Sequence, residues 1–409
     1  MAKGLTFGGG VADNRSMTYD LAHLPPSGRI RTLDRLRGLS LWLMLVFGAA
    51  KMATFGDFFA ALSMHDVTKS FQIIAGYGFY DCIAPMFVFA SGLAFWASYQ
   101  SKLRRLGASR AALYGAKRGL ELVGVGGLLI FNFDDPFNIS LFALALVVLA
   151  TWVVSLIRPD WVILKRLVHR TLLSLGVMLI LINWIEMAVG IGSAGVSWGS
   201  WGPICSIGVG LLMALCLARL STRGKVFASL LMTALYAGIC LYGDPALAGS
   251  FVHGGLLGSL GYGLLVTYGF VWMSLAGKWR KVAYALAIGL LAIPTCLLQT
   301  PSKELVNLSF VLISWIIETF LYAFLALFER MELKYFPLFS ILGRNSLTIY
   351  CLHFVTTFTF GICLNALTCY LPVGETLHTI VFALGLVVYP VLADCLVKWL
   401  SKKGWVVKL

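Results

Sequence analysis

The chain has 409 residues, of which 59% are hydrophobic and 12% are charged, and its mean hydropathy is +0.86. Water-soluble domains average about 25% charged residues, so this composition excludes a soluble globular protein. The net charge of +14 would suit nucleic acid, but the basic residues lie between apolar runs, so we expect no nucleic-acid partner.

A polar segment, residues 1–28, opens the chain, and we expect it to be a flexible cytoplasmic segment. The first 38 residues contain no apolar core typical of a secretory signal, so we expect the first membrane helix to be retained. Residues 29–409 are predicted to form a single transmembrane domain.

Apolar runs of about 20 residues recur through this domain, and such runs are typical of transmembrane helices. They predict an all-α, polytopic helix bundle with eleven or twelve spans, since the run 117–132 is short. The predicted spans are 39–58, 78–99, 117–132, 139–157, 171–190, 203–219, 226–243, 254–276, 282–298, 307–328, 345–365 and 377–398.

The distribution of Lys and Arg predicts the orientation of these spans. With the N-terminus in the cytoplasm, 29 of the 32 basic residues fall in cytoplasmic segments, and Lys51, Lys69 and Lys303 fall outside. This asymmetry follows the positive-inside rule, so we expect both termini in the cytoplasm.

Before the first span, the stretch "RIRTLDRLRG" (29–38) forms a dense basic cluster. Asp34 and Arg37 are three residues apart and share one helical face. The cluster could anchor the topology with a local ion pair, or its guanidinium groups could bind the phosphates of an acyl donor. Its arginines are Arg29, Arg31, Arg35 and Arg37.

The second span opens with "FYDCIAPMFVFASG" (79–92), which places Asp81 at the outer mouth and Pro85 where we expect the helix to loosen. Asp81 could cap the helix by accepting backbone N–H groups, or it could border a binding site. Both interpretations stay open at this point.

Further acidic residues lie within or beside predicted spans, where a charge costs a few kcal/mol and often marks function. We expect Glu121 to pair with Lys117 or Arg118. Asp81 and Glu186 lie toward the outer ends of their spans, where water is within easy reach of the side chain. Glu318 lies in mid-span, so it must find a partner in the bundle or stay protonated. The set comprises Asp34, Asp81, Glu121, Glu186, Glu318 and Asp394.

Histidines and cysteines offer few motifs. His65, His253 and His378 lie on the predicted outer side, and a histidine there is a candidate general base, although a structural role is more common. The nine cysteines lie mostly within spans and form no disulfide framework. No CxxC, HExxH or GxxxxGK[ST] spacing indicates a metal or nucleotide site.

Two stretches, "RIRTLDRLRGLSLWLM" and "FYDCIAPMFVFASG", resemble the start of heparan-alpha-glucosaminide N-acetyltransferase and its bacterial relatives. Three later stretches are similar in order but looser: "FVHGGLLGSLGYGLLVTYG", "KELVNLSFVLISWIIETFLYAFLALFE" and "FPLFSILGRNSLTIYCLHF". The resemblance covers roughly residues 29–360. It implies a membrane acyltransferase of a bacterial cytoplasmic (inner) membrane.

The family carries an acetyl group from cytosolic acetyl-CoA to an amino sugar across the membrane. The resemblance therefore implies acetyl-CoA as donor, a glycan or glycolipid as acceptor and membrane lipid as surroundings, with a homodimer left open. The chain departs from the family at its catalytic positions, because Phe71 stands where the family has His and Gly48 where it has Asn.

We expect His65 to act as the base in place of the missing histidine, with Asp81 orienting it. The expected donor-binding residues are Arg29, Arg31, Arg37 and Arg344. The expected pocket residues are Asp34, His253, Asn345 and His353.

Two alternatives do not require acyl transfer. Loss of the family's Asn and His positions favours a transporter or flippase on the same scaffold. A structural subunit of an envelope-assembly complex is the other alternative.

Overall fold

The computed structural model confirms the all-α, polytopic membrane bundle expected from the apolar runs. Six described segments are long and apolar enough to cross a membrane, so the chain is an integral membrane protein. The structure describes residues 30–52, 72–128, 162–189, 201–243, 255–331, 337–344 and 375–402, with a few helical positions at 147–154 and 346–350.

A short antiparallel hairpin lies just before the second span, and it is the sheet structure found among the described residues. The elements are α1 (Arg31–Met52), β1 (Gln72–Ile74), β2 (Tyr77–Gly78), a 3-10 turn (Phe79–Cys82), α2 (Ile83–Leu106), α3 (Ala108–Gly127), α4 (Val162–Val189), α5 (Pro203–Leu217), α6 (Thr222–Tyr242), α7 (Gly255–Ser274), α8 (Lys278–Leu290), α9 (Ala292–Leu298), α10 (Leu308–Arg330), α11 (Pro337–Arg344) and α12 (Glu375–Lys402).

Helix α7 lies in the interior, where it packs against α2, α5, α6 and α10. Helices α4, α6 and the pair α8–α9 lie at the periphery and expose much of their apolar surface. Lipid tails can cover such faces without cost, so apolar exposure is expected in a membrane protein.

Glycines allow the inner helices to approach through their backbones. A Cβ added at Gly92 of α2 would overlap the carbonyl oxygen of Val266 in α7. A Cβ at Gly124 of α3 would likewise overlap the carbonyl oxygen of Leu172 in α4. Because lipid is as apolar as a leucine side chain, such close packing supplies much of the attraction between membrane helices.

Hydrogen bonds between side chains also join neighbouring helices within the bundle. The hydroxyls of Thr233 and Tyr268 lie 2.6 Å apart and connect α6 with α7. The Tyr284 hydroxyl donates to Ser229 Oγ at 3.0 Å and connects α8 with α6. These bonds satisfy polar groups that would otherwise be buried without a partner.

The segment between the predicted spans 78–99 and 117–132 is mostly helical, because both helices extend beyond the predicted bounds. Helix α2 ends at Leu106 and α3 begins at Ala108, so Gly107 alone separates them. Its φ of 79° lies in the left-handed region, which glycine adopts without strain. The predicted spans were drawn from apolar runs, which mark only the part of a helix inside the membrane. Helices α2 and α3 are longer than these runs, because both continue into polar sequence.

The loosening expected at Pro85 is not seen, because α2 runs unbroken from Ile83 to Leu106. Helix α2 begins at Ile83, so Pro85 lies in the first helical turn. Backbone N–H groups of a first turn have no intrahelical acceptor, and proline therefore removes no helical hydrogen bond there. The predicted spans 139–157 and 345–365 lie mostly outside the described residues.

Candidate functional site

Asp81 is buried at one end of the bundle, with 4% of its surface exposed, so it does not use the access to water that the outer end of a span offers. Its Oδ1 lies 3.1 Å from Nζ of Lys303, and its Oδ2 accepts the Gly78 backbone N–H at 2.8 Å. Asp81 is the third residue of the 3-10 turn that precedes α2, and its carboxylate accepts the N–H of the residue before that turn, whereas the expected N-cap would accept N–H groups of the turn that follows it. Burial is tolerated because the carboxylate has a charged partner.

Lys303 belongs to the loop before α10, and Asn307 holds this loop in place. The Asn307 amide donates to the Thr300 carbonyl at 2.7 Å, and its Oδ1 accepts the backbone N–H of Ser302 at 3.0 Å. The Lys303 ammonium also lies 4.6 Å from the centre of the Tyr80 ring. Carboxylate and aromatic ring together hold the Lys303 ammonium, whose side chain is 11% exposed.

A polar track continues from this pair toward the middle of the bundle. The Tyr77 hydroxyl lies 3.0 Å from Ser314 Oγ on α10, and burial raises the pKa of the Tyr77 phenol well above its usual value. Glu318 lies one turn beyond Ser314 and is fully buried. Its two carboxyl oxygens have no hydrogen-bond partner among the described residues.

The opposite end of the bundle, named here the basic end, is where α1, α3 and α4 begin and α2 ends. Here α1 and α11 meet through their backbones, because a Cβ at Gly38 would overlap the Phe339 carbonyl oxygen and a Cβ at Gly343 would overlap that of Asp34. The Trp42 and Phe339 rings pack edge to face, with centroids 6.0 Å apart. Two motifs distant in the sequence thus form one junction.

The junction brings together several residues expected to bind an acyl donor. Asp34 is buried, Arg37 is partly buried, and Arg31 and Arg344 are exposed. The Thr32 hydroxyl of α1 bonds to the Glu329 carboxylate at the end of α10, which ties a third helix to the junction. An exposed arginine at this junction can bind two oxygens of one phosphate through two parallel N–H···O hydrogen bonds.

Other expected site residues lie outside the residues that the structure describes, so their roles stay predictions. They are Arg29, His65, His253, Asn345 and His353. The pairing of Asp81 with His65 is among these predictions. Each oxygen of a carboxylate can accept more than one hydrogen bond, so the contacts with Gly78 and Lys303 leave room for another donor.

The expected pair of Glu121 with Lys117 is confirmed, with 3.6 Å between Nζ and Oε1. The same carboxylate oxygen also lies 3.0 Å from Nδ1 of His169 on α4. Sequence reasoning missed this histidine and the Lys303 partner of Asp81. A buried carboxylate signals that a partner must exist, but it does not reveal a partner distant in the chain.

No protein-family model matches this sequence, and no curated protein matches it either.

Proposed function

We propose that this protein transfers an acyl group, acetyl in the simplest case, from acyl-CoA at the basic end to a sugar or glycolipid at the other end. The observation that carries the proposal is the α1–α11 junction, whose backbone contacts at Gly38 and Gly343 bring together the two motifs that resemble the acyltransferase family. Asp34 and Arg37 of the first motif and Arg344 of the second lie next to these contacts in the chain. The proposal takes the basic end as the cytoplasmic one, in line with the positive-inside rule.

In the proposed reaction the donor's phosphates bind the arginines of the junction, which places the thioester inside the bundle. A general base removes a proton from the acceptor's amine or hydroxyl as it attacks the thioester carbonyl. The carbon–sulfur bond then breaks, and CoA leaves as a thiol after taking up a proton. His65 is the proposed base and Asp81 orients it, while Asn345, His253 and His353 are proposed to line the pocket.

Donor binding is the first test, because it does not require the acceptor to be known. Acetyl-CoA binding to purified protein in lipid nanodiscs is measured by calorimetry for wild type and Arg344→Ala. Loss of one charge-assisted bond is worth about 1.5–3 kcal/mol, so we expect about ten- to a hundredfold weaker binding. Arg344 is exposed, so its replacement leaves the fold intact.

Arg219→Ala is the matched control, since Arg219 is exposed in the turn between α5 and α6. We expect it to bind acetyl-CoA as wild type does. Wild-type protein that binds no acyl-CoA, or equal losses in the two variants, would overturn the proposal.

The proposed base has a separate test. We expect His65→Ala to lose about 100- to 10,000-fold in transfer rate while acyl-CoA binding survives. His23→Ala is the control, because His23 lies in the N-terminal segment and should leave turnover unchanged. Wild-type turnover in His65→Ala would refute this role and direct attention to His253 and His378.

A proton-coupled transporter is the second candidate, and Glu318 is the observation that favours it. A buried carboxyl in mid-helix, beyond the polar track from Tyr77 and Ser314, could exchange protons during transport. Proteoliposomes that move protons with wild-type protein but not with Glu318→Gln, and that show no acyl-CoA binding, would favour this candidate.

A further inference from the structure

A cleft of about 260 Å³ opens at the basic end between the first turns of α4 and the middle of α3. Its lining is mostly cationic and comprises Lys117, Arg166, His169, Arg170 and Leu173. Neither the α1–α11 junction nor the buried Asp81–Lys303 pair contributes to this lining. The cleft is therefore a separate feature of the bundle.

The charges of the cleft do not cancel. Glu121 lies buried beside it and is already bound to His169 at 3.0 Å and to Lys117 at 3.6 Å. Arg166 and Arg170 are exposed and form no ion pair with a carboxylate within the part of the chain that the structure describes. One carboxylate against three basic side chains, Lys117, Arg166 and Arg170, leaves a positive excess that favours an anion.

Two of the lining side chains, Lys117 and His169, are also held in place. Glu121 fixes the His169 ring and the Lys117 ammonium at the back of the cleft, which limits the freedom of both side chains. Helices α3 and α4 run parallel and touch through their backbones, since a Cβ at Gly176 would overlap the Leu120 carbonyl oxygen. A lining that is partly preorganised binds an anion with a smaller entropic cost than a fully mobile one.

The face of α4 that carries the two arginines continues as an apolar, exposed stripe. The spacings of four, three, four, four and three residues place the arginines and the stripe on one helical face. The stripe is exposed at the end away from the arginines, where Leu181 and Trp184 are 56% and 59% accessible. From the basic end onward, this face carries Arg166 and Arg170, and the apolar stripe that follows them comprises Leu173, Val177, Leu181 and Trp184.

We propose that this cleft binds the phosphate headgroup of an anionic phospholipid, whose acyl chains lie along the apolar stripe of α4. Arginine pairs match phosphate oxygens in geometry as well as in charge. Basic pockets between membrane helices are suited to anionic headgroups. A free phosphate would use the arginines alone, whereas a phospholipid also covers the apolar residues that follow them.

The test compares lipids by native mass spectrometry of the full chain released from detergent micelles. Wild-type protein is expected to retain phosphatidylglycerol in preference to phosphatidylcholine of the same chain length. The double variant Arg166→Gln, Arg170→Gln is expected to bind phosphatidylglycerol about tenfold or more weakly. The control variant Arg104→Gln, Arg105→Gln removes two positive charges from the exposed end of α2. This control should retain phosphatidylglycerol as wild type does.

Soluble competitors separate a lipid site from a site for free anions. Inorganic phosphate and glycerophosphoglycerol, which lacks acyl chains, are expected to displace the lipid poorly at millimolar concentration. Equal competition by either compound would overturn the lipid assignment in favour of a free-anion site. Equal lipid loss in the two double variants, or no preference for phosphatidylglycerol in wild type, would overturn the site itself.

Discussion

Helix α7 and the pair α8–α9 are both apolar, but they occupy opposite environments. The apolar window of α7 is 83% buried inside the protein, whereas that of α8–α9 is 17% buried, although α8–α9 is the more hydrophobic of the two. Hydrophobicity therefore does not decide which helix lies inside. In a membrane the lipid tails satisfy an apolar surface as well as the protein does.

The number of glycines distinguishes α7 from α8–α9 better than hydrophobicity does. Helix α7 has five glycines, whereas α8–α9 has one, Gly289. Gly263 lies close to Met213 and Gly210 of α5, and Gly269 lies close to Phe89 of α2. Glycine removes the Cβ that would keep backbones apart, so it lets α7 contact several helices at once.

The largest expected difference between the interior and the periphery comes from removing a positive charge. Lys303→Met leaves the buried Asp81 carboxylate unpaired, which we expect to cost about 3–5 kcal/mol of unfolding free energy. Lys278→Met, in the exposed first turn of α8, should cost less than about 1 kcal/mol. Reversible SDS unfolding of the purified variants measures both values.

The double variant Asp81→Asn, Lys303→Met removes both charges, so it should recover most of the stability lost in Lys303→Met. If the single variant at Lys303 is as stable as wild type, the buried pair does not stabilise the bundle as argued.

A leucine truncation in each region tests packing directly. Leu265 of α7 is fully buried and Leu286 of α8 is 61% exposed. We expect Leu265→Ala to cost about 2–5 kcal/mol, because the surrounding helices cannot fill the cavity. Leu286→Ala should change the unfolding free energy by less than about 0.5 kcal/mol, since lipid replaces the lost atoms. Equal costs would contradict the assignment of α7 to the interior and α8 to the lipid.

Glycine substitutions give the smallest and sharpest comparison. In Gly92→Ala the new methyl group meets the Val266 backbone, which cannot yield without moving a helix, so we expect a loss of about 1–3 kcal/mol. Gly238 of α6 has open space around it, so Gly238→Ala should stabilise the protein by about 0.5–1 kcal/mol. A lower melting temperature for Gly92→Ala and a higher one for Gly238→Ala in thermal unfolding would support the comparison. An unchanged melting temperature for Gly92→Ala would contradict the close contact of α2 and α7.

Sequence reasoning identified the chemistry of the candidate residues better than their partners. Asp81 and Glu121 stand out in apolar surroundings, so each is recognisable as a residue that needs compensation. The Lys117 partner of Glu121 was predictable because it lies one helical turn away. The Lys303 partner of Asp81 was not predictable, since no local sequence pattern relates the second span to the loop before α10.

The sequence by itself determined that this chain is a helical membrane protein, because crossing lipid requires long apolar runs whose backbone groups bond within each helix. It also indicated the basic residues that mark one end of the bundle. Tertiary structure decided that α7 is inside, that Asp81 pairs with Lys303 and that α1 meets α11 at Gly38 and Gly343. Those outcomes depend on how helix surfaces fit one another, and that fit is a property of pairs of distant segments rather than of any single run.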